Sequence, residues 1–284
     1  RRCRCGSFLL ELLMWRGYRQ ALSLLPIENI AHGRQAAQSV SPSASVRRAV
    51  VDMVKWRQGS LVVRDGEDGP ILGTVTERDV LERVELVAGA MQATRVEQIM
   101  TPRSDLASCS TDSALGQCVR KMQPGFRQLP IVAGERVLSI ISIRDIAQHM
   151  ATALSKAPMH DPPTVEHLMI ARGAPGYVEL RAEATLADAV AIMRETKTGS
   201  VLVAGSGGGT FGVVTERDYI TKAAVYDEEE PHQIPVAQVL TTCKPVTSGG
   251  RIADCLSIIT LALTLSPEPS PSPSPTPTLT LALA

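Results

Sequence analysis

Apolar residues recur at positions i, i+3, i+4 and i+7 in four separate stretches of the chain, and this spacing predicts four helices with one apolar face each. Before each stretch lies a short segment with an apolar residue at each end, called a phrase below; the four phrases are 27–30, 96–100, 165–169 and 236–240. The phrases begin at positions 27, 96, 165 and 236, at intervals of 69, 69 and 71 residues. Such an interval predicts a chain of repeated units. The apolar helix positions are Val46, Ala49, Val50, Met53; Leu115, Cys118, Val119, Met122; Leu186, Ala189, Val190, Met193; and Ile252, Cys255, Leu256, Ile259.

In the first three units the helix is followed by two short apolar segments with a glycine-rich or charged turn between them, which predicts a β-hairpin. A tetrad of the form Thr/Ser-x-x-Asp ends each hairpin, and a second helix is predicted to begin there. The predicted fold is therefore mixed α/β (α+β), built from repeated β-α-β-β-α units. The predicted hairpin strands are 61–63 and 71–75, 129–132 and 137–141, and 201–203 and 211–214.

A unit of about 60 residues buries too little apolar surface to be stable alone, so the units are expected to pair through their sheets and helices. Units one and two would form one pair, and units three and four another, joined by a proline-containing linker. The fourth unit is predicted to be truncated after its first helix. The expected bounds are 1–25 for a leader, 27–156 for the first pair (27–92 and 96–156), 163–260 for the second pair (163–228 and 236–260), and 261–284 for a Ser/Pro tail.

Alternating serine and proline between positions 266 and 277 favours extended polyproline structure, which cannot supply the strands missing from the fourth unit. Two explanations stay open: the tail is genuine, or the gene model ran past its proper exon. The break falls in the middle of a repeated unit, and this favours the second explanation.

Composition narrows the classes of function. The chain has 29 basic and 29 acidic residues, so no basic field is present to bind a nucleic-acid backbone. No apolar run reaches the roughly 18 residues that a membrane span needs. The six cysteines form no C-x-x-C pair, and Cys118 and Cys255, which occupy apolar helical positions, are expected to be buried thiols in a reducing compartment.

The first 25 residues carry five arginines and a single acid, with Leu, Phe and Trp between them. An arginine-rich, acid-poor, amphipathic start is typical of organelle transit peptides, so a mitochondrial or chloroplast location is one expectation. A leader without a targeting role is the alternative, and the location would then be cytoplasmic.

The tetrads have two interpretations. In a capping box, the hydroxyl accepts an N–H of the first helical turn and the carboxylate reaches back. In a ligand site, the helix N-terminus suits a phosphate and the carboxylate accepts the hydroxyls of a ribose. Gly73 and Gly212, three residues before two tetrads, let a ligand or another backbone approach closely. The tetrad residues are Thr76 and Asp79, Ser142 and Asp145, and Thr215 and Asp218.

Residues 73–79 (GTVTERD) and 212–218 (GVVTERD) resemble the ligand signature of cystathionine-β-synthase-type (CBS) domains, and 59–63 (GSLVV) and 199–203 (GSVLV) match the preceding strand. Residues 126–132 (FRQLPIV) are similar to the family's basic strand, with glutamine where histidine is common. The resemblance extends over about 27–258, and the first pair is similar to plant-type stand-alone CBS proteins.

The resemblance implies paired domains, called Bateman modules, that bind AMP, ADP, ATP or S-adenosylmethionine between their sheets without a metal. It implies that the tetrads hold ribose, that Arg127 approaches phosphate, and that Val62 and Val203 lie against adenine. A solvated strand-end charge for Arg127 and ordinary core positions for the valines stay as alternatives. Ser139 replaces the signature glycine in unit two and unit four has no tetrad, so the second module is expected to hold at most one well-formed site.

The expected function is that of a regulatory adenine-nucleotide sensor, for example in energy sensing, that catalyses nothing and acts on a separate partner. No nucleophile elbow, P-loop or metal-binding histidine spacing is present in the sequence. A structural scaffold with vestigial sites is the alternative. Members of this family often pair two modules into a disc, so a homodimer is expected, and organellar thioredoxins are partners of plant relatives.

Overall fold

The computed structural model describes residues 27, 30, 37–66, 69–122, 128–134, 136–143, 145, 146, 148, 149, 178–204, 210–224, 233–242, 249 and 250. The expected leader, the linker, the first helix of the fourth unit with Cys255, and the Ser/Pro tail lie outside this part of the chain. Arg127 lies outside it as well.

The first unit has the predicted order of strand, helix, strand, strand and helix. Its first strand pairs in parallel with the second, and the second pairs antiparallel with the third. In chain order the elements of this unit and of the segment after it are β1 (Ser39–Val40), α1 (Val46–Lys55), β2 (Ser60–Arg64), β3 (Ile71–Thr76), α2 (Glu77–Arg83), α3 (Ala90–Ala93), α4 (Val96–Ile99) and β4 (Thr101–Pro102).

Units two and three repeat the same pairing pattern, parallel and then antiparallel, in separate three-stranded sheets. This confirms the predicted α+β architecture of CBS-like units. Unit two contains β5 (Cys109–Ser110), α5 (Leu115–Met122), β6 (Gln128–Ala133) and β7 (Arg136–Ser142), and unit three contains β8 (Glu179–Arg181), α6 (Leu186–Thr196), β9 (Ser200–Ala204), β10 (Thr210–Thr215) and α7 (Glu216–Tyr219), with α8 (Val236–Val239) after it.

The phrases at 96 and 236 fold onto the units that precede them. Strand β4, directly after α4, pairs antiparallel with β3 as the fourth strand of the first sheet. After α8, the N–H and C=O of Thr241 both bond to Val213 of β10, at 2.8 and 2.9 Å. The sequence interpretation placed these phrases at the start of the following units, whereas in the structure they complete the preceding sheets. Residues 96–102 and 236–241 are called the closing segments below.

Units one and three share one apolar core. Helices α1 and α2 of unit one contact the helical part of unit three, and side chains such as Val50, Met53, Val190, Met193 and Tyr219 form a single buried cluster. The aliphatic stripes predicted for the first helices of these units therefore both face this shared core. Among the described residues, none of the helices is both long and apolar enough to span a membrane.

Units one and two meet through their sheets instead. Val62 and Ile71 of the first sheet form a small buried cluster with Ile140 of the second. Within unit two, Cys118 is fully buried, as expected for a thiol on the apolar face of its helix.

Close approach of the closing segments requires glycine at two positions. A Cβ on Gly73 would overlap the carbonyl oxygen of Thr101, and one on Gly212 would lie 2.8 Å from that of Thr241. We therefore expect Gly73→Ala and Gly212→Ala each to lower the free energy of unfolding by about 1–3 kcal/mol, because strand backbone must shift.

Urea unfolding measures this effect. Gly249→Ala is the matched control, since a Cβ there meets no atom within 4 Å, and it should change stability by less than about 0.5 kcal/mol. Equal effects of all three substitutions would contradict the steric account.

Candidate functional site

In unit one the tetrad lies where β3 ends and α2 begins. The N–H of Thr76 and its hydroxyl both donate to Oδ2 of Asp79, at 2.9 and 2.6 Å, and the N–H of Asp79 approaches Oγ1 of Thr76 at 3.2 Å. This is a complete capping box. The strand supplies the hydroxyl and the first helical turn supplies the carboxylate, so the two groups meet wherever a strand runs directly into a helix.

The other two predicted tetrads have the same geometry. The N–H and hydroxyl of Thr215 donate to Oδ2 of Asp218 at 2.9 and 2.6 Å. The N–H and the hydroxyl of Ser142 both donate to Oδ2 of Asp145 at 2.6 Å. All three pairs are therefore assembled, as the tetrad spacing predicts.

A fourth Thr-x-x-Asp, which the sequence reasoning did not single out, is an internal comparison. At the start of α6, the N–H and hydroxyl of Thr185 donate to Oδ2 of Asp188 at 2.9 and 2.8 Å. Asp188 is exposed, whereas Asp79, Asp145 and Asp218 are each only 6% exposed. The capping contacts are thus not distinctive; what sets the three tetrads apart is the burial of the carboxylate.

Two of the buried carboxylates have further partners that the sequence reasoning missed. Thr101, in the closing segment after unit one, approaches Oδ1 of Asp79 with its hydroxyl at 3.3 Å. Thr241, in the closing segment after unit three, donates to Oδ1 of Asp218 at 2.8 Å. The sequence contains a signal for these partners, because a threonine directly follows the phrases at 96 and 236, as Met100-Thr101 and Leu240-Thr241.

A cation one helical turn after each of these aspartates lies against the same oxygen. Arg83 lies 3.3 Å from Oδ1 of Asp79, and Lys222 lies 2.7 Å from Oδ1 of Asp218. Both cationic side chains are substantially exposed, at 43% and 38%. Each carboxylate therefore has one oxygen held by its N-cap and the other shared between a hydroxyl and a partly exposed cation.

Burial dominates the electrostatics of Asp79. Loss of solvent raises the pKa of this carboxyl above its usual range, and the hydrogen bond from Thr76 and the charge of Arg83 oppose that rise only in part. A carboxyl whose pKa is shifted because it is buried away from water is typical of functional sites, although structural ion-pair networks also shift pKa values.

The glycines before the tetrads are explained by backbone contact. The sequence left open whether Gly73 and Gly212 admit a ligand or another backbone; the structure places the closing segments there. Ser139 occupies the equivalent position in unit two, since it pairs with Ile131 as Gly73 pairs with Val63. Its hydroxyl is buried and has no hydrogen-bond partner within the described part of the chain.

The two valines expected to contact adenine lie on opposite faces of their sheets. Val62 faces unit two, in the cluster with Ile71. Val203 is fully buried in the core shared with the helices, on the face that Val63 occupies in unit one. Val203 therefore lies on the opposite face from Val62, because successive strand residues alternate between faces, and its contact with adenine stays a prediction. The position equivalent to Val62 is Leu202, since Leu202 pairs with Val213 as Val62 pairs with Thr74.

Unit two reaches the tetrad of unit one through Gln128, the residue at the start of β6. A Cβ built on Gly59 would lie 3.2 Å from Oε2 of Glu77 and 3.3 Å from Nε2 of Gln128, so both side chains border Gly59. The first tetrad thus lies beside the junction of units one and two. Arg127, expected at a phosphate, lies outside the described residues.

The middle residues of two tetrads form reciprocal ion pairs. Arg78 of unit one donates to Oε1 of Glu216 at 2.7 and 3.0 Å, and Arg217 of unit three donates to Oε1 of Glu77 at 3.2 Å. The side chain of Glu216 is only 9% exposed. The Glu-Arg pair inside each tetrad therefore joins the second helices of units one and three, while the flanking Thr and Asp stay on their own unit.

Within the described residues, no group of three or more His, Cys, Asp and Glu side chains has the arrangement of a metal site. The groups that meet at the tetrads are hydroxyls, carboxylates and their counter-ions, which suit recognition of a hydroxylated ligand.

The CBS domain family model matches residues 34–86, 96–152 and 174–224, more than half of the chain. The chain is 27% identical over 194 residues to an uncharacterized 33.4 kDa protein in a ribosomal RNA operon of Thermofilum pendens, covering 63% of this chain and 59% of that protein. It is 26% identical over 106 residues to the mitochondrial CBS domain-containing protein CBSX3 of Arabidopsis thaliana, covering 37% of this chain and 52% of that protein. The chain thus matches little more than half the length of these curated relatives.

Among solved structures, the fold is similar to that of protein MJ1225 from Methanocaldococcus jannaschii, with a TM-score of 0.63 and 14% identity over 85% of this chain and 90% of that one. At this identity the similarity shows a common fold.

The raised pKa of Asp79 predicts a pH-dependent stability. The folded state binds a proton on Asp79 more tightly than the unfolded state does. The wild-type protein therefore loses stability as pH rises from the pKa of the unfolded state, about 4, through the higher pKa of the folded state. Asp79→Asn, which keeps an acceptor but no charge, escapes this loss. The free energy of unfolding of Asp79→Asn minus that of wild type should therefore be larger at pH 7 than at pH 4 in urea titrations. A difference that shrinks with rising pH would contradict the prediction; Asp188→Asn is the control for the same change at an exposed cap.

The reciprocal ion pairs predict energetic coupling between units one and three. In a double-mutant cycle of Arg78→Met and Glu216→Gln, we expect a coupling energy of about 1–2 kcal/mol in chemical unfolding, because the pair is partly buried. Arg48 and Asp52 form the comparison pair, since they lie within α1 and the arginine side chain is 67% exposed. Their coupling should stay near 0.3–0.5 kcal/mol; additive effects of the Arg78 and Glu216 substitutions would contradict the interface role.

Proposed function

Because the chain belongs to the CBS-domain family, we propose that it is a regulatory sensor that binds an adenosyl ligand (AMP, ADP, ATP or S-adenosylmethionine) and acts on a separate protein rather than catalysing a reaction. CBS domains commonly bind adenosine ligands as regulatory modules. Units one and two would form one Bateman module, and unit three would belong to the second.

The observation that carries the proposal is the set of three tetrad carboxylates that are almost fully buried beside hydroxyls. Asp79, Asp145 and Asp218 are 6% exposed, while the carboxylate of an ordinary capping box in the same chain, Asp188, is exposed. A cap does not require burial. A ribose does benefit from it, because hydrogen bonds from its hydroxyls to a carboxylate are stronger when water is excluded.

In the proposed sites, Thr76/Asp79, Ser142/Asp145 and Thr215/Asp218 bind the ribose hydroxyls. Val62 and its counterpart Leu202 supply apolar surface for the adenine ring, and Arg127 stays the candidate for phosphate. Ligand binding would shift the orientation of paired units and thereby change the activity of a partner.

A scaffold with vestigial sites is the second candidate, and one observation favours it. Asp79 already has partners on both oxygens, namely Thr76 on Oδ2 and Thr101 with Arg83 on Oδ1. The carboxylate is therefore satisfied without a ligand, as a purely structural cap would be.

Assembly and location belong to the same proposal. We propose a homodimer and an organellar location, with a thioredoxin among the candidate partners. The arginine-rich first 25 residues and the similarity to a mitochondrial CBS protein of Arabidopsis thaliana support the location.

Calorimetric titration with AMP, ATP and S-adenosylmethionine tests the sensor. We expect saturable binding of at least one of them and, at 100 times its Kd, stabilisation by about 2.7 kcal/mol. Asp79→Ala combined with Asp218→Ala should weaken binding at the sites of units one and three at least 10-fold and so lower the measured stoichiometry, because each of these sites loses charged hydrogen bonds.

Asp188→Ala is the matched control. It removes a carboxylate with the same capping contacts, so it should reduce stability by about 1 kcal/mol and leave affinity unchanged. Failure of all three ligands at millimolar concentration would leave the scaffold as the function. Binding that survives the double substitution with both its affinity and its stoichiometry unchanged would place the site outside the tetrads of units one and three.

A further inference from the structure

We propose that Thr101 and Thr241 are positioning residues of the nucleotide sites in units one and three, and that a ribose hydroxyl replaces the neighbouring cation, Arg83 or Lys222, on the aspartate. The inference rests on the proposed function. It assigns a role to the closing segments, which lie outside the tetrads and outside the units that the tetrads end.

The same backbone pairing places the threonine hydroxyl beside the aspartate in units one and three. Each belongs to the first residue after a phrase, and each is brought to the aspartate by antiparallel pairing of that residue with the strand before the tetrad. Thr101 pairs with Thr74 of β3, and Thr241 pairs with Val213 of β10. Both contacts join residues more than 20 positions apart, so they are tertiary features rather than consequences of helix capping.

The hydroxyl fixes the half of the carboxylate that the N-cap leaves free. Thr76 bonds only to Oδ2 of Asp79, and Oδ1 would otherwise be held by Arg83 alone. An ionised carboxylate has about four acceptor positions, two on each oxygen. The N-cap uses those of Oδ2, so a ligand has access to Oδ1 only by sharing it with the threonine and displacing the cation.

The cation is the partner that can leave. Arg83 is 43% exposed and also donates to the carbonyl oxygens of Ile99 and Met100, so it keeps hydrogen bonds when it releases Asp79. Lys222 is 38% exposed and also donates to the carbonyl oxygen of Val239 at 2.7 Å. The backbone of each threonine, in contrast, is paired with the strand before the tetrad, which keeps its hydroxyl beside the aspartate.

This exchange connects ligand occupancy to the closing segments. The carbonyl groups that keep the displaced cation belong to the same segments that carry the positioning threonines. After unit one, that segment leads into unit two. Binding at the tetrad therefore alters contacts at the start of the next unit without a change in the capping box.

Unit two differs in this respect. Met169, which ends the equivalent phrase, is followed by Ile170 in the sequence, and isoleucine has no hydroxyl to donate. The threonine after the phrase therefore distinguishes the tetrads of units one and three from the tetrad of unit two. The tetrad sequences alone do not show this difference.

The test compares AMP with 2′,3′-dideoxy-AMP, which lacks both ribose hydroxyls, on the full chain. Thr101→Val combined with Thr241→Val should weaken AMP binding about 3- to 10-fold, the effect of one lost hydrogen bond per site. It should leave the weaker binding of dideoxy-AMP unchanged, since that ligand makes no contact with the aspartate. Thr101→Ser with Thr241→Ser keeps the hydroxyls and should restore AMP affinity to within about 2-fold.

Thr185→Val controls for lost stability, because it removes the hydroxyl of a capping box that has no proposed site. Thermal melting of each variant confirms folding. Wild type that binds none of the adenosyl ligands would remove the proposed function and this inference together. Wild type that binds AMP, with valine variants that bind it equally well or lose AMP and dideoxy-AMP affinity in the same proportion, would overturn the positioning role alone.

Discussion

The contact between a closing segment and the glycine in the strand before the tetrad is the constraint on which the rest of the structure depends. Because Gly73 has no side chain, the backbone of Thr101 pairs with β3 and completes the first sheet. The same approach at Gly212 brings in Thr241. These two contacts tie each unit to the segment that follows it. They also bring a hydroxyl from more than 20 residues away to the buried aspartate.

The tetrad contributes both to the candidate ribose site and to the interface between units one and three. Its outer residues, Thr and Asp, form the capping box and the candidate ribose site on one unit. Its middle residues, Glu and Arg, cross to the other unit as the Arg78–Glu216 and Arg217–Glu77 pairs. Because these roles fall on adjacent residues of one helical turn, a displacement at the proposed site would also displace the residues of the helix interface. This proximity provides a physical basis for regulation by a ligand, since both surfaces would respond to the same small movement.

Thr185 and Asp188 show how little the tetrad pattern means by itself. Their hydrogen bonds match those of the three predicted tetrads, yet their carboxylate is exposed. Capping is a local property that four residues determine, and the sequence predicts it correctly at each described tetrad. Burial depends on what packs over the helix end, and in units one and three a distant segment contributes to it. The recurrence of the tetrad after an apolar hairpin was therefore a better guide than the tetrad itself.

The sequence by itself determined the repeat, the β-α-β-β-α order and the aliphatic stripes of the first helices, because these follow from local periodicity and turn chemistry. It also located the capping residues, such as Thr76 and Asp79. Only the tertiary structure decided which face of a strand each residue occupies, and so placed Leu202, rather than Val203, at the position equivalent to Val62. It likewise decided that the phrases close the preceding sheets, and that Thr101 and Thr241 meet the aspartates. These features depend on register and on contacts between distant segments, and a residue's neighbours along the chain do not specify either of them.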